Sequence, residues 1–367
     1  MGYKRGWNAV NLRLVDKVPL LGLVDSNLLR DFYGVEASDA FTRYKILDVD
    51  LVYTHGVKKA EDKPRKLKPK TGFFEDFKEE FPFTDVFPVA YRGLKLARTE
   101  SASQLWVVKR PFKTYGEMVS YLRSCFDPLS WEERSLKDLV ENYRYSFLRL
   151  QKPLKDTTLV AGELYLTLFT FFIVHIGHSF LLMLLYRNPE VFLEAAEKYA
   201  ELAEMHSRAW AETGIKVFVS HDDVALKDGP MMAPSVFEEQ VAPFYRRIWR
   251  PLREKGIKVL FVSDGKYLKL IDSLAKMGAQ GFKINWDARL KREEAEALVE
   301  KYGGRFVLSL GPSYEVLSYG SPAQAKKEAL WLVEVAKRRR GFFLSNVIGK
   351  SENVRAFWKT WLENNSL

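Results

Sequence analysis

Polar and charged side chains follow a series of short apolar runs in this sequence, at the points where the runs end. In chain order they are Asp25, Glu163, His221, Asp222, Asp223, Asp264, Lys266, Asn285, Trp286, Glu315, Ser345 and Asn346. Side chains of these types orient polar substrates, bind divalent metals, and act as general acids and bases. We therefore predict a polar ligand site assembled from the ends of several strands.

The carboxylates at positions 222, 223 and 264 are the predicted catalytic residues. Asp222 and Asp223 are adjacent, and adjacent residues of an extended segment point to opposite sides. We expect one of the pair to face the ligand, while the other can cap the following loop through its backbone. Asp264 ends the next apolar run and is expected to lie beside them.

A metal site at these positions would be rich in oxygen ligands. The chain has one cysteine, Cys125, and five histidines, which excludes an intramolecular disulfide and any multi-cysteine zinc site. His221, Asp264 and Glu315 are the predicted ligands of a divalent metal such as zinc. They do not form a complete zinc motif in the sequence, because such a site needs three or four converging ligands.

Substrate binding is predicted for the remaining polar strand ends and for Lys283, which lies inside an apolar run. Lys266 and Lys283 can neutralise an acidic substrate, or they can pair with neighbouring carboxylates. Both alternatives remain open. The predicted substrate-binding residues are Asp25, Glu163, Lys266, Lys283, Asn285, Trp286, Ser345 and Asn346.

The apolar runs alternate with amphipathic stretches, which is typical of βαβ units. The predicted strands are residues 18–24, 48–53, 158–162, 216–220, 258–263, 281–285, 305–310 and 341–346. The predicted helices between the later strands are residues 189–213, 234–255, 267–277, 291–302 and 321–339. This order predicts a (β/α)8 barrel, whose ligands bind at the carboxyl ends of the strands, with a doubly wound open sheet as the alternative.

A single domain over residues 1–367 is predicted, with an insertion at residues 56–110 between the second and third barrel strands. Residues 56–72 carry seven lysines and arginines and are predicted to form a solvated loop. Residues 86–96 and 105–110 are expected to pair as a hairpin. The N-terminal third is therefore the irregular part of the predicted barrel.

Charge and hydropathy leave the partner class open. The net charge of +10 favours acidic ligands, anionic membranes or nucleic acid without choosing among them. Residues 164–186 contain no Asp, Glu, Lys or Arg and are long enough to span a bilayer. Polar residues at the centre of that run favour a buried strand-to-helix passage instead. No secretory signal pattern is found, and a cytoplasmic location is expected.

Several segments resemble the uroporphyrinogen decarboxylase superfamily. In residues 221–248 a strand ends in Asp-Asp, a Gly-Pro turn follows, and a helix carries the sequence Pro-Phe-Tyr-Arg-Arg. Residues 5–19, 177–190 and 316–322 agree as well, so the resemblance spans the chain apart from about residues 56–86. It implies a TIM barrel with one of two chemistries: metal-free decarboxylation of uroporphyrinogen, or zinc-dependent methyl transfer involving corrinoid proteins and thiols such as coenzyme M.

The sequence departs from both branches of that family. The decarboxylases carry Arg-Gln-Ala-Gly-Arg after the first strand, whereas residues 23–27 read Leu-Val-Asp-Ser-Asn, which argues against an octacarboxylate substrate. The thiol methyltransferases have a zinc-binding His-x-Cys-Gly, for which this chain has Val262, Asp264 and Gly265. Residues 263–265 are similar to the decarboxylases' Lys-Asp-Gly, and Asn285-Trp286 is similar to their Asp-Trp.

Three functions follow as hypotheses. The leading one is a methyltransferase-like enzyme that acts on a small methylated substrate, with a corrinoid protein as a partner. The second is a divergent tetrapyrrole enzyme or binder of the decarboxylase type. The third is a non-enzymatic binding protein that uses the basic loop at residues 58–70. Neither nucleic-acid binding nor membrane insertion is expected, and no oligomeric state is predicted.

Overall fold

Parallel strands alternate with helices along the chain and close into a barrel. The structure, a computed structural model, describes residues 2–24, 27–36, 40–55, 92–98 and 105–367. Within them the strands are β1 (Leu20–Val24), β2 (Leu51–His55), β3 (Lys95–Arg98), β4 (Leu105–Lys109), β5 (Leu159–Tyr165), β6 (Val217–His221), β7 (Ala225–Leu226), β8 (Gly229–Pro230), β9 (Lys258–Ser263), β10 (Gly281–Ile284), β11 (Val307–Leu310) and β12 (Phe342–Val347).

The barrel runs in the order β1-β12-β11-β10-β9-β6-β5-β2, and β2 pairs back to β1. Every neighbouring pair in it is parallel. All eight predicted strands overlap the eight barrel strands. The predicted (β/α)8 barrel is therefore confirmed, and the open-sheet alternative is wrong.

Helices surround the barrel and begin where the sequence supplies caps. Ser321 accepts a hydrogen bond from the backbone N–H of Gln324, and Pro322 occupies the first turn, where its missing N–H costs nothing. The described helices are Gly2–Val10, Asn27–Tyr33, Ala40–Ile46, Tyr115–Ser124, Pro128–Trp131, Leu136–Leu154, Phe169–Ile176, His178–Arg187, Pro189–Ala211, Pro234–Val236, the π-helical Phe237–Val241, Ala242–Glu254, Ile271–Met277, Arg292–Tyr302, Tyr314–Tyr319, Pro322–Lys337 and Ser351–Asn364.

Two apolar cores result from this layering. One fills the barrel with side chains from alternate strand positions, such as Leu51, Val219 and Phe343, and includes Ala9 of the first helix. The other lies between the strands and the surrounding helices. The first helix, Gly2–Val10, thus closes the amino-terminal end of the barrel and leaves the carboxyl end for the site.

The insertion region contains an antiparallel pair. Strands β3 and β4 pair with each other in the chain between β2 and β5, where the hairpin is expected. Residues 56–91 and 99–104, which include the whole basic loop, lie outside the described residues.

The apolar run at residues 164–186 is divided between a strand end and two helices. The helices Phe169–Ile176 and His178–Arg187 meet at Gly177 with a bend of 114°. In the described part of the chain no single helix has the length and apolarity needed to cross a membrane, and this bent pair passes the test only when its two halves are taken together.

Candidate functional site

The carboxyl ends of β5, β6 and β9 bring together a histidine and three carboxylates. His221 ends β6, and its Nδ1 lies 3.2 Å from Oε1 of Glu163 on β5. Its Nε2 lies 3.6 Å from Oδ1 of Asp223. One potential ligand atom each from His221, Asp223 and Asp264 falls within 4.8 Å of the other two. We call these three residues the strand-end cluster.

His221 is positively charged at neutral pH in this arrangement. Burial disfavours the charge, but the carboxylates of Asp223 and Glu163 outweigh burial and raise the pKa of His221 to about 10. Asp223 is only partly buried, and His221 holds the pKa of that carboxyl below its usual range. The cluster therefore contains a proton that a metal ion at Nε2 would have to displace.

Asp222 and Asp223 have different surroundings. Asp222 is fully buried, and its carboxylate accepts hydrogen bonds from the backbone N–H groups of residues 168–170 and from the Tyr245 hydroxyl, at 2.5–2.9 Å. In turn, the Thr170 hydroxyl accepts a bond from the backbone N–H of Asp223. Asp222, predicted as catalytic, thus holds the turn that fixes Asp223, and Asp223 is the one beside the cluster.

A chain of polar side chains links Asp264 to the barrel interior. Asn285 donates from Nδ2 to Oδ1 of Asp264 at 2.7 Å, and its Oδ1 accepts bonds from Lys283 and from Asn346. Lys283 is 3% exposed, and burial lowers its pKa to about 8. The hydrogen bonds of Lys283 go to Asn285 and Asn346, so it supports the amides that orient Asp264.

Two predicted site residues pair outside the cluster. The ammonium group of Lys266 lies 3.0 Å from both carboxylate oxygens of Glu294. Glu315, a predicted metal ligand, pairs with Arg289 at 3.2 Å and accepts a hydrogen bond from Ser313. The structure thus brings His221 and Asp264 together as predicted for a metal site but places Glu315 apart from them.

The remaining predicted residues have separate positions. Ser345 is buried, and its hydroxyl accepts a hydrogen bond from Ser309 at 2.8 Å. Trp286 begins a short 3₁₀ turn, Trp286–Ala288. Asp25 lies outside the described residues.

Sequence reasoning assigned no site role to Asp287 or Thr170. Asp287 accepts a bond at 2.6 Å from the backbone N–H of Gly265, beside Asp264, and burial raises its pKa. Its position directly after Asn285-Trp286 is a strand-end signal that pointed to it. Thr170 lies within an apolar run and gives no such signal, because its role depends on where the turn packs.

Comparison with known proteins tests the resemblance. A family model described as uroporphyrinogen decarboxylase (URO-D) matches residues 150–355, which is more than half of the chain. This chain belongs to the uroporphyrinogen decarboxylase family. The suspected membership is therefore confirmed, and the matched region holds β5 through β12 with the whole strand-end cluster. No curated protein matches the chain.

Solved structures show the fold of the family member. A methyltransferase from Methanosarcina mazei is 16% identical, with 99% of this chain and 98% of that chain covered and a TM-score of 0.64. A D-psicose 3-epimerase from Clostridium cellulolyticum is 7% identical, with 71% and 96% covered and a TM-score of 0.36. The first supports the barrel over the whole chain, whereas the second is too different in structure to do so.

The strand-end cluster of this family member fits a divalent metal ion. It offers one imidazole nitrogen and two carboxylates, and catalytic metal sites commonly combine three such ligands with an open position. The Nε2 atom of His221 is buried and makes no hydrogen bond within the described residues. Asp264 is exposed, so the site can be reached from solvent. His221, Asp223 and Asp264 are therefore the residues that could hold a metal.

Proposed function

We propose that this protein is a methyltransferase that moves a methyl group from a small substrate to or from a corrinoid protein or a thiol. The observation that carries the proposal is the strand-end cluster, in which His221, Asp223 and Asp264 place ligand atoms within 4.8 Å of one another. When bound there, a divalent ion supplies a Lewis acid that lowers the pKa of a thiol acceptor.

The residues around the cluster hold its members in place. Glu163 fixes the His221 ring through Nδ1, which leaves Nε2 directed toward Asp223. Asn285 fixes the carboxylate of Asp264. Asp223 also accepts a bond from the backbone N–H of Asp264, which ties the β6 and β9 ends together. The ligand atoms are therefore preorganised before substrate arrives.

The ligands of the strand-end cluster are harder than thiolates and prefer harder metal ions. Asp264 stands where the thiol methyltransferases have the cysteine of His-x-Cys, so a carboxylate oxygen replaces a sulfur ligand. Mixed imidazole and carboxylate sites accept zinc, manganese, cobalt or iron, whereas thiolates select softer ions. We propose zinc or another divalent ion of this group as the metal.

Metal content and methyl transfer test the proposal together. The wild type, His221→Ala, Asp264→Asn and Glu315→Gln are loaded with zinc, dialysed and analysed for metal. Methyl transfer is followed with methylcobalamin as donor and coenzyme M as acceptor. We expect about one zinc per chain in the wild type and in Glu315→Gln, and a loss of zinc and of about 100-fold or more in rate for the two cluster variants.

A matched control separates this loss from a general charge effect. Asp272 is an exposed carboxylate on the outer surface that pairs with Lys301 at 2.9 Å. Asp272→Asn should leave metal content and rate unchanged. Equal rates for wild type and Asp264→Asn, or a rate that does not depend on zinc, would reject the proposal.

A decarboxylase-type activity is the second candidate, and the family match favours it. The site itself is poorly suited to uroporphyrinogen, because the carboxylates of Asp223 and Asp264 would face the acetate groups of the substrate and repel them. Anaerobic incubation with uroporphyrinogen, beside an active decarboxylase, measures this directly. We expect no decarboxylated product from this protein.

A further inference from the structure

A cavity of about 270 Å³ lies beside the strand-end cluster, between the ends of β10 and β11 and the helices Arg292–Tyr302 and Pro322–Lys337. Its floor is apolar, with Leu310, Ala295 and Leu332 buried beneath it. Asn285 lines the cavity and also donates to Asp264. Asn285 therefore connects the cavity to the strand-end cluster through its hydrogen bond to Asp264.

The rim of this cavity is cationic. Arg289, Lys291 and Arg292 line it and are exposed, whereas Glu328 is the acidic residue among the lining residues. The Glu328 oxygens are already bonded, one to the backbone N–H of Ser313 at 3.0 Å and one to Arg292 at 2.8 Å. With Glu315, the partner of Arg289, two carboxylates balance the three cations, so the rim keeps a net positive charge.

The arginines keep donors for a ligand. A guanidinium group has five N–H bonds in a planar fork that matches a carboxylate. Arg289 places Nε 3.2 Å from Glu315, and Arg292 uses one terminal nitrogen for Glu328 while its guanidinium lies 4.9 Å from the centre of the Trp331 ring. These contacts fix the direction of both groups and leave further N–H bonds for an incoming anion.

We propose that this cavity binds a small amphiphilic acid, with its apolar body on the floor and its carboxylate at Arg289 and Arg292. The volume equals about nine water molecules at ~30 Å³ each, which suits an acid of the size of benzoate. The apolar floor alone would not distinguish an acid from a neutral molecule of the same size. The cationic rim alone would not distinguish an amphiphilic acid from a small polar anion. The inference rests on the proposed function only for the role of the acid, which would be the substrate or acceptor of methyl transfer at the adjoining cluster.

Binding of benzoate to the full chain tests the inference by isothermal titration calorimetry. Benzamide and acetate are the comparison probes, since benzamide keeps the ring without the charge and acetate keeps the charge without the ring. We expect measurable benzoate binding and at least about tenfold weaker binding of both comparison probes, because each lacks half of the recognition.

Two variants locate the site. Arg289→Met removes a rim cation without exposing a buried partner, since Glu315 is half-exposed, and should weaken benzoate binding about tenfold or more. Ala295→Leu fills part of the cavity floor and should weaken benzoate binding by occupying the space for the ring. Lys326→Met, on the exposed side of the helix Pro322–Lys337, is the matched cation control and should bind as the wild type does.

The outcomes separate this inference from the proposed function. Benzamide or acetate binding as tightly as benzoate, or unchanged binding in both Arg289→Met and Ala295→Leu, would overturn the amphiphilic-acid site. Benzoate binding is also measured on zinc-free Asp264→Asn, where we expect it to persist. Persistent binding in a protein without methyl transfer leaves the cavity assignment standing and removes only its proposed role.

Discussion

Asp222 and Asp223 are sequence neighbours with opposite physical roles, and a substitution at each should separate them. Asp222→Asn replaces an oxygen that accepts buried backbone N–H bonds with an amide donor. Since each unsatisfied buried group costs about 1–3 kcal/mol, the free energy of unfolding should fall by at least that amount. Zinc binding should weaken less than in Asp223→Asn, because the Asp222 carboxylate is engaged by residues 168–170 and Tyr245 and affects the cluster only through the turn that fixes Asp223.

Asp223→Asn provides the comparison. Asp223 is part of the strand-end cluster, so this variant should lose zinc while the midpoint of urea unfolding falls less than in Asp222→Asn. Loss of zinc in Asp222→Asn without a change in unfolding would instead assign Asp222 to the ligand site.

Lys283 predicts a pH dependence of stability. Its pKa is lowered from 10.5 to about 8 by burial, so the folded protein binds fewer protons than the unfolded chain between these values. The free energy of unfolding contributed by this group therefore rises as the pH increases from 8 to 10.5, and it is lowest below pH 8. The change amounts to about 3 kcal/mol at ~1.4 kcal/mol per pKa unit.

The measurement compares wild type with Lys283→Met by urea unfolding at several pH values. The wild type should gain stability relative to this variant as the pH rises from 8 to 10, and the exposed Lys269→Met should run parallel to the wild type. A constant difference between wild type and Lys283→Met over that range would show that the buried amine does not titrate there.

The residue types of the site can be predicted from sequence more readily than their partners can. The approach of His221 and Asp264 follows from strand ends that meet at one edge of a barrel. The pairing of Glu315 with Arg289, and of Lys266 with Glu294, depends on how the loops after β9, β10 and β11 fold. No spacing in the chain encodes those contacts, so residue type and position after a strand predict Glu315 as a metal ligand without revealing its pairing with Arg289.

Gly265 allows the small hairpin of β7 and β8 to pack closely against the chain after Asp264. Its φ is +76°, and a Cβ atom there would lie 2.6 Å from the carbonyl oxygens of Ala225 and Leu226. Gly265→Ala should therefore add a steric displacement of the hairpin to the cost of the left-handed backbone, which is ~1–2 kcal/mol. The displacement should also weaken zinc binding, because Gly265 follows Asp264 directly.

Gly256→Ala is the control that carries the backbone cost without a steric clash. Gly256 has a φ of +72°, and no atom lies within 4 Å of the position of its Cβ. Both variants should lower the thermal unfolding midpoint, but only Gly265→Ala should lower the zinc affinity. Equal effects on both measurements would mean that the hairpin has no part in holding the cluster.

Helix starts can be predicted from this sequence where a proline or a capping residue marks them, and less well at other positions. Proline at positions 189, 234 and 322 marks the observed helix starts. The predicted helix at residues 234–255 is interrupted by a π-helical turn, Phe237–Val241, directly before Ala242 and Pro243. Pro243 has no N–H for an i→i−4 hydrogen bond, so it is the sequence signal for this interruption. The strands β7 and β8 have two residues each and are too short to produce a periodic pattern.

The barrel as a whole follows from its alternating pattern, whereas the helix that closes its amino-terminal end does not. Gly2–Val10 contains two glycines, which disfavour an isolated helix. Tertiary contact explains them, since a Cβ on Gly2 would lie 2.1 Å from the carbonyl oxygen of Thr157 and one on Gly6 would lie 2.5 Å from that of Asp50. The glycines therefore allow the helix to pack closely against the end of the barrel, and this packing stabilises the helix.

Arg5 attaches that cover to the barrel. Its guanidinium donates to Asp16 at 2.8 Å, to Asp48 at 3.1 Å and to Asp50 at 2.7 Å, and Asp50 is 1% exposed. Burial raises the pKa of Asp50 to about 7, while the charge of Arg5 opposes that rise. Arg5→Met should therefore leave a buried carboxylate unpaired, at a cost of ~3–5 kcal/mol in the free energy of unfolding near pH 8.

The pH dependence of this loss distinguishes a charge effect from a packing effect. Without Arg5 the pKa of Asp50 rises further, so the folded protein takes up a proton that the unfolded chain has released above pH ~3.9. The destabilisation by Arg5→Met should therefore be smaller at pH 5 than at pH 8. Lys17→Met, which removes a partly exposed partner of Asp48, should cost less than ~1 kcal/mol at either pH. An equal loss at both pH values for Arg5→Met would mean that the helix is held by its apolar contacts and not by this ion pair.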